Sequence, residues 1–332
     1  MISLVSPAYN NAGQVEGMLK SLWGKSDLRG HEVIVVDDGS ADYAIQRICT
    51  ARGVNYLRLD PNRGACAARN AGARAARGGI VLFLDSDAVA RADLIREAER
   101  ALSDPAWDAA IGGPAPVSAN PGLFRDFWAL VKAQSLPERE GESTTFYPMI
   151  GAIRKKVFEE CGEFDERFEG ASVEDYEFSR RFSAHGKKVR YWPGLRVRMH
   201  YPGWKRNLRQ SFSRAAKWVL LRRESGRFDN HTTTWNQACG MLSAAAVPLL
   251  GIFYLVGILP GVGMALAWFI YLVSNVRFYL FALHHRPVWW MPLILPLHLL
   301  LGLVVFLGAS FGAISSFFGL SVREGILFRR DA

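Results

Sequence analysis

Short apolar runs alternate with helical patterns through the first third of the chain. Between the first two runs, apolar residues recur at helical spacing from Val15 to Leu22, and a second helix is predicted over Arg91–Leu102. Strands that alternate with helices predict βαβ units and a parallel sheet covered on both faces. The runs, rich in β-branched residues, stand at 2–6, 32–37, 54–58 and 80–85.

The pattern becomes mixed from residue 111 to 204, where a helix is predicted from Val173 to Ala184, followed by a strand. A basic stretch with interleaved aromatic and aliphatic residues comes next. Such a helix beside an apolar run predicts a segment that lies on anionic lipid headgroups, and an ordinary solvated helix is the alternative. Its cations are Lys205, Arg206, Arg209, Arg214, Lys217, Arg222, Arg223 and Arg227.

The last third holds three apolar runs, at 238–259, 262–283 and 289–318. No Asp, Glu, Lys or Arg occurs from Asn230 to Val276 or from Pro287 to Val322. Since a membrane-spanning helix needs about 20 apolar residues, residues 231–332 are predicted to form a transmembrane region of two to three hydrophobic helices. Gly308 and Gly312 stand at the GxxxG spacing that permits close helix packing.

The number of crossings stays open. Three crossings from a cytosolic start would place Arg323, Arg329 and Arg330 on the far side of the membrane, against the positive-inside preference. Either the last run, which contains Pro292 and Pro296, enters the membrane and returns to the same side, or the chain breaks the positive-inside preference.

Charge and cysteine usage exclude several classes of protein. The net charge is +9, yet residues 1–204 balance 27 basic against 27 acidic side chains, so the excess lies beside the apolar runs. A uniform nucleic-acid-binding surface is therefore not expected. The four cysteines show no metal-site spacing, and the first ten residues lack the features of a signal peptide. These features predict a catalytic or binding domain in the cytosol.

Acidic residues follow two of the predicted strands, where ligands bind in open parallel sheets. Asp37-Asp38-Gly39-Ser40 closes the second strand and Asp85-Ser86-Asp87 closes the fourth. Two carboxylates one residue apart suit a hard cation such as Mg²⁺ or Mn²⁺, which also takes diphosphate oxygens. Turn capping is the alternative interpretation of each cluster.

A glycine-led helix start follows the third strand. Asn62-Arg63-Gly64 precedes an alanine-rich helix that carries Arg69. Backbone N–H groups at such a start attract an anion, and Arg69 is a candidate to contact a phosphate. The alternative for Arg69 is a surface side chain.

Together these motifs resemble the family 2 glycosyltransferases of GT-A fold, over about residues 1–204. The resemblance implies a nucleotide-sugar donor and a glycan or lipid-linked acceptor. It extends to Gly162-Glu163-Phe164-Asp165-Glu166 and Glu174-Asp175-Tyr176-Glu177-Phe178 on the acceptor side. Its central motifs are Ser6-Pro7-Ala8-Tyr9-Asn10, Val35 to Ser40, Asn62-Arg63-Gly64, Ala68-Arg69-Asn70 and Leu84-Asp85-Ser86-Asp87.

The resemblance also implies roles by position. Asp87 would ligate Mg²⁺ or Mn²⁺, Asp85 would touch the metal or the ribose, and His200 would be a further metal or diphosphate contact. Asn11 stands where the family commonly has an acid, and the Gln-x-x-Arg-Trp signature of processive synthases is absent. The donor site would consist of Pro7, Ala8, Tyr9, Asn11, Asp38, Asn62, Gly64, Arg69, Asp85, Ser86 and Asp87.

The Glu174-Asp175 pair bears on the acceptor. A sugar hydroxyl must lose its proton on attack, so a nearby carboxylate helps, with Asp175 as the implied general base and Glu174 beside it. A polyprenyl phosphate needs no base, and it remains the second possible acceptor. Two further alternatives stay open. In the first, Glu174 and Asp175 serve only to cap the start of their helix. In the second, the whole protein is a catalytically silent scaffold at the membrane.

The chain is thus expected to have an α/β GT-A domain (1–204), a basic juxtamembrane segment (205–230) and a membrane region (231–332). It would be an inverting, metal-dependent glycosyltransferase acting on a hydroxyl of a lipid-linked or cell-envelope glycan. We also expect multi-pass attachment to the inner membrane, contact with membrane lipids and a cytoplasmic catalytic domain.

Overall fold

A computed structural model describes residues 1–23, 28–167, 174–225, 235–258 and 260–318. It contains two compact units, the first formed by Met1–Gly122 and Trp128–Tyr201, the second by Leu123–Phe127 and the chain from Pro202 onward. Several residues used in the sequence predictions lie outside the described ranges, namely Val173, Arg227, Arg323, Arg329 and Arg330.

The first unit contains one sheet of nine described strands in the order β3-β2-β1-β4-β8-β6-β9-β5, with β7 paired to β9. Their bounds are β1 (Ile2–Ala8), β2 (Glu32–Asp37), β3 (Asn55–Arg58), β4 (Ile80–Leu84), β5 (Ala88–Val89), β6 (Ala109–Pro114), β7 (Gly141–Ser143), β8 (Ile150–Arg154) and β9 (Val189–Met199).

The four apolar runs of the sequence form β1 to β4, which pair in parallel as predicted. Beyond β4 the sheet is no longer parallel, because β8 is antiparallel to both β4 and β6. Four of the six residues of β6 (AAIGGP) and two of the five of β8 (IGAIR) are glycine or alanine, which weakens the β-pattern in sequence. The sheet is mixed, and the α/β class holds.

Helices pack on the sheet of the first unit through small residues and aromatic rings. On α3, a Cβ at Gly72 would overlap the Val5 side chain of β1, so this helix lies unusually close to the sheet. The rings of Phe83, Phe158 and Phe178 pack together beneath α7. The first seven helices are α1 (Ala12–Trp23), α2 (Ala44–Ala51), α3 (Ala65–Ala75), α4 (Leu94–Ala101), α5 (Leu123–Ala133), α6 (Lys155–Glu160) and α7 (Glu174–Ala184).

The second unit is helical. Among its described residues, one segment, Val288–Phe317, is long and apolar enough to cross a membrane, and the pair α10–α11 passes the same test only as a unit bent by 64°. The second apolar run is therefore broken at Asn275, a break that the sequence pattern does not reveal. The helices are α8 (Trp204–Ser225), α9 (Trp235–Leu255), α10 (Gly261–Ser274), α11 (Val276–His285) and α12 (Met291–Phe317).

The GxxxG prediction is confirmed, and its partner is the basic helix α8. A Cβ at Gly308 would overlap the carbonyl oxygen of Phe212, and one at Gly312 would overlap that of Ala216. Since only glycine permits this approach, the backbones of α8 and α12 lie in direct contact.

Candidate active site

The ends of β1, β2 and β4, three neighbouring strands, bring the predicted donor residues together. The carbonyl of Ala8 accepts a hydrogen bond from the Asp38 amide at 2.8 Å. Asn11 donates from Nδ2 to Ser86 Oγ at 2.7 Å, which joins the end of β1 to the loop after β4. Tyr9 is half exposed beside them. The sequence-predicted residues of the three strand ends therefore share one edge of the sheet.

Asp38 holds the loop that leads into α3. Its two carboxylate oxygens accept hydrogen bonds from the amides of Arg63 and Gly64, both at 2.8 Å. Asn62 donates from Nδ2 to the Asp38 carbonyl at 2.7 Å. Three predicted donor residues, Asp38, Asn62 and Gly64, are thus joined by hydrogen bonds at the end of β2.

Arg69 lies between two acidic pairs. We name them the strand-end pair (Asp85 and Asp87) and the helix-start pair (Glu174 and Asp175). Arg69 Nη2 donates to Asp85 Oδ1 at 2.7 Å, and Nη1 lies 3.8 Å from Glu174 Oε1. The arginine is only 4% exposed, so the alternative of a surface side chain is wrong. One buried cation links the two pairs.

Asp87 is the buried member of the strand-end pair. Its Oδ1 is buried without a hydrogen-bond partner among the described residues. Burial, and then the charge of Asp85, raise the pKa of Asp87 to about 7. The site thus holds more negative charge than its protein neighbours neutralise, which suits a cation.

His200 lies beside Asp87 because β5 and β9 pair antiparallel there. Its amide and its Nδ1 lie 2.9 Å and 2.8 Å from the Asp87 carbonyl oxygen. A carbonyl only accepts, so Nδ1 carries the hydrogen, which leaves Nε2 as an acceptor in the neutral ring. The ring is therefore fixed by the main chain.

The predicted metal set of Asp85, Asp87 and His200 is not assembled in this structure. No group of three His, Cys, Asp or Glu side chains in the described ranges is placed to hold a metal. Local hydrogen bonds explain why the three residues do not form a metal site. Asp85 accepts from Arg69, and His200 uses its Nδ1 to bond the Asp87 carbonyl. The two carboxylates alone still fit a hard divalent cation that completes its shell with ligand oxygens, because no described residue is a hydrogen-bond partner of Asp87 Oδ1.

Tyr201 is a residue that the sequence reasoning missed. Its hydroxyl is buried and has no hydrogen-bond partner among the described residues. Burial, and then the charge of Asp87, raise its pKa. Tyr201 follows His200 directly, but nothing in the sequence shows that its hydroxyl is buried without a partner in the described ranges.

The helix-start pair opens α7. Asp175 accepts a hydrogen bond from the Tyr176 amide at 2.9 Å, while burial and then Glu174 raise its pKa to about 7. Ser179 anchors this turn, because its hydroxyl donates to the Asp175 carbonyl and accepts from the Phe146 amide at 2.8 Å. A carboxylate that titrates near neutral pH is suited to take a proton from a reacting group.

Comparison with known proteins shows which family the first unit is similar to. The sequence of residues 3–162, which contains β1 to β4 and the strand-end pair, matches the family described as glycosyl transferase family 2. This part of the chain is therefore similar to a family 2 glycosyltransferase domain. The mannosyltransferase of Pyrobaculum calidifontis, solved with GDP-mannose and Mn²⁺, matches the fold with a TM-score of 0.55 at 17% identity. That match covers 96% of this chain and 87% of the other, and it supports the GT-A fold.

Curated relatives match the family 2 domain over part of their length. The pre-mycofactocin glycosyltransferase of Mycobacterium tuberculosis is 32% identical over 205 residues, which is 58% of this chain and 41% of that protein. The succinoglycan biosynthesis protein ExoO of Rhizobium meliloti is 40% identical over 97 residues, 29% of this chain and 28% of that protein. The chain thus spans less than half the length of these relatives.

Proposed function

We propose that the protein transfers one sugar from a nucleotide-diphosphate donor to a hydroxyl of a lipid-linked or cell-envelope glycan. The acceptor oxygen forms a bond to the anomeric carbon while the bond from that carbon to the diphosphate oxygen breaks. Asp175 receives the hydroxyl proton, and the nucleoside diphosphate leaves. Attack opposite the leaving group inverts the anomeric carbon.

The observation that carries the proposal is the Arg69 link between the two acidic pairs. Arg69 Nη2 lies 2.7 Å from Asp85, at the predicted donor edge, and Nη1 lies 3.8 Å from Glu174, next to the proposed base. A donor at the strand ends therefore lies close to a carboxylate able to deprotonate its acceptor. Binding and proton transfer meet in one small volume, as transfer requires.

Asp85 and Asp87 are the residues that would hold Mg²⁺ or Mn²⁺. Such an ion, when bound, neutralises charge on the leaving diphosphate. Structures similar in fold give support, since one was solved with GDP-mannose and Mn²⁺ and another, from Staphylococcus aureus, with UDP at a TM-score of 0.51. The buried Tyr201 hydroxyl, which has no partner among the described residues, is a candidate donor to such a ligand.

Asp175 favours a hydroxyl acceptor over polyprenyl phosphate. A phosphate oxygen is already an anion, so a buried carboxylate next to it would repel the acceptor rather than activate it. A hydroxyl gains from a neighbouring base whose pKa lies near neutral pH. One relative is named as a succinoglycan biosynthesis protein, and this name agrees with a glycan acceptor.

The second unit would attach the protein to the inner membrane, with the catalytic domain in the cytoplasm. Large apolar side chains such as Leu255, Val262 and Phe317 are about 80% exposed. Arg206 and Arg214 are exposed on α8, where anionic headgroups would neutralise them. An apolar surface of this kind beside exposed cations fits a lipid bilayer.

A screen of nucleotide sugars tests the proposal. Thermal unfolding of the full chain is followed with each donor and either Mn²⁺ or Mg²⁺, because a ligand of the folded state raises the midpoint. We expect one donor class to stabilise the protein only with the cation, and then to support transfer to a lipid-extracted glycan. No stabilisation by any nucleotide sugar would contradict the proposal.

A further inference from the structure

We propose that the second unit enters the bilayer from one face without crossing it. The hairpin α9–α10 inserts its tip into the apolar interior, and the helix pair α8–α12 lies along the headgroups. The partner is a bilayer that contains anionic lipid. The inference rests on the membrane attachment proposed above and is independent of the reaction.

The first observation is the register of α8 against α12. Gly308 meets Phe212 and Gly312 meets Ala216, so both contacts advance by one turn and the helices run in the same direction. With equal rise along both helices, the exposed Arg206 lies level with Gly302, near the middle of α12.

The exposed Arg214 lies, by the same count, level with Ser310. If α12 crossed the bilayer, both guanidinium groups would stand inside the hydrocarbon region, where charge is strongly disfavoured. If α12 lies along the surface, both groups reach anionic headgroups. The length and composition of α12 suit a membrane-spanning helix, but the exposed arginines of its partner α8 do not suit a position inside the bilayer.

The second observation concerns the bent pair α10–α11. The chain turns by 64° at this junction, and Arg277 is exposed in the first turn of α11. In a single span from Gly261 to His285, Arg277 would lie about two thirds of the way along, still within the hydrocarbon region. The bend instead lets α11 leave the apolar region as soon as the charge appears, so α10 is one arm of a hairpin.

The third observation is the size and polarity of the α9–α10 hairpin. Gly240 of α9 faces Asn275 at one end, and Tyr254 faces Gly261 at the other, so the arms are antiparallel. The shorter arm, α10, has 14 residues, and its length is about 21 Å. The hydrocarbon core is about 30 Å thick, so the hairpin enters the bilayer without spanning it.

The tip of the hairpin is built for an apolar medium. Leu255 and Ile258 are 83% and 70% exposed. The Ile258 amide donates to the Phe253 carbonyl at 2.9 Å and the Gly257 amide to the Tyr254 carbonyl at 3.0 Å, with Gly257 at φ +77°.

These bonds form a Schellman turn, and Pro260, which follows, has no N–H to satisfy. Lipid contact requires such internal pairing, because hydrocarbon offers no hydrogen-bond partner. The opposite end of the hairpin is polar, since Asn275 donates to the Tyr271 carbonyl there at 2.8 Å. One end of the hairpin suits hydrocarbon and the other suits the headgroup layer.

Variants of the full chain with one accessible cysteine test the inference. Cys239 is exposed and is replaced by serine, while Cys49, Cys66 and Cys161 are buried. Ile258→Cys reports the tip, and Gln210→Cys, exposed on α8, is the matched control. The protein is incorporated into vesicles of phosphatidylcholine and phosphatidylglycerol. Capture through an N-terminal tag selects vesicles with the first unit outside, and an impermeant maleimide is applied outside or enclosed in the lumen.

We expect Ile258→Cys to be labelled from neither side and Gln210→Cys from the outside. A fluorophore on Ile258→Cys, attached before incorporation, should be quenched by a nitroxide on the lipid acyl chain. A C-terminal tag should be cleaved by protease added outside. The same vesicles are assayed for sugar transfer, which reports the proposed reaction separately.

Four results would overturn the inference. Labelling of Ile258→Cys from the lumen would show that the hairpin crosses, and cleavage of the C-terminal tag only after lysis would show an odd number of crossings. Labelling from the outside would show that the tip stays in water. Failure of the acyl-chain nitroxide to quench the fluorophore on Ile258→Cys would show that a second copy of the chain, and not lipid, covers the tip.

Discussion

The strand-end and helix-start pairs have similar electrostatics but different neighbours. In each pair one acid faces Arg69, and in each the other acid is buried with a pKa raised to about 7. Asp87, however, has an oxygen without a partner, whereas Asp175 accepts an amide hydrogen bond. The same excess charge therefore suits a cation at one pair and a proton at the other.

The largest effect is expected for Asp175→Asn, which removes the base and keeps the size. Transfer should fall by about 10²–10⁴-fold, while donor affinity stays near the parental value. Single-turnover transfer and equilibrium donor binding measure the two quantities. Glu177→Gln is the control, since Glu177 lies in the same turn but pairs with Arg181 at 2.7 Å. Equal losses in both variants would mean that the helix start, not the base, was damaged.

Arg69→Met should weaken both pairs together. Removing one partner from a buried ion pair leaves acids uncompensated, and the free energy of unfolding should fall by about 3 kcal/mol. Arg74→Met, on the same helix but more than half exposed, should change it by less than about 1 kcal/mol. Denaturant unfolding of both variants checks this. A change in the free energy of unfolding of less than about 1 kcal/mol for Arg69→Met would show that the two acidic pairs are independent.

Asp87→Asn should change binding rather than chemistry. Donor affinity with Mn²⁺ should fall at least about tenfold, equivalent to about 1.4 kcal/mol. The variant should bind donor equally with and without EDTA, whereas the parent should lose affinity when EDTA is added. Calorimetric titration measures this, and an EDTA effect of parental size in the variant would remove the cation from the strand-end pair.

The smallest effect is a shift in pH dependence. Asp175 works as a base only when unprotonated, so transfer at saturating donor should rise with pH and level off above about 7. Glu174 raises the pKa of Asp175, so Glu174→Gln should lower it and move the profile toward lower pH. The shift should be about one pH unit or less, equivalent to about 1.4 kcal/mol. A profile that moves upward would contradict the assignment.

Some of this site is readable from sequence because its residues follow apolar runs directly. Asp38 and Asp85 come straight after β2 and β4, so strand ends predict their location. The Arg69 link is not readable, because it depends on how closely α3 packs at Gly72 and on where α7 begins. Contacts between elements distant in sequence leave no local pattern.

The second unit shows the same limit. The GxxxG spacing predicted close packing, but only the structure identifies α8 as the partner of Gly308 and Gly312. The apolar run at 262–283 predicted one helix, and the break at Asn275 divides it. Neither feature changes composition, so hydropathy alone does not reveal the partner of α12 or the break in the second run.

Offering two acceptors to one enzyme shows whether the helix-start pair activates a hydroxyl. Single-turnover transfer is measured with a lipid-linked glycan and with polyprenyl phosphate, for the parent and for Asp175→Asn, each saturated with donor. We expect transfer to the glycan hydroxyl by the parent, its loss in the variant, and no transfer to the phosphate. Transfer to polyprenyl phosphate that survives in Asp175→Asn would contradict this expectation.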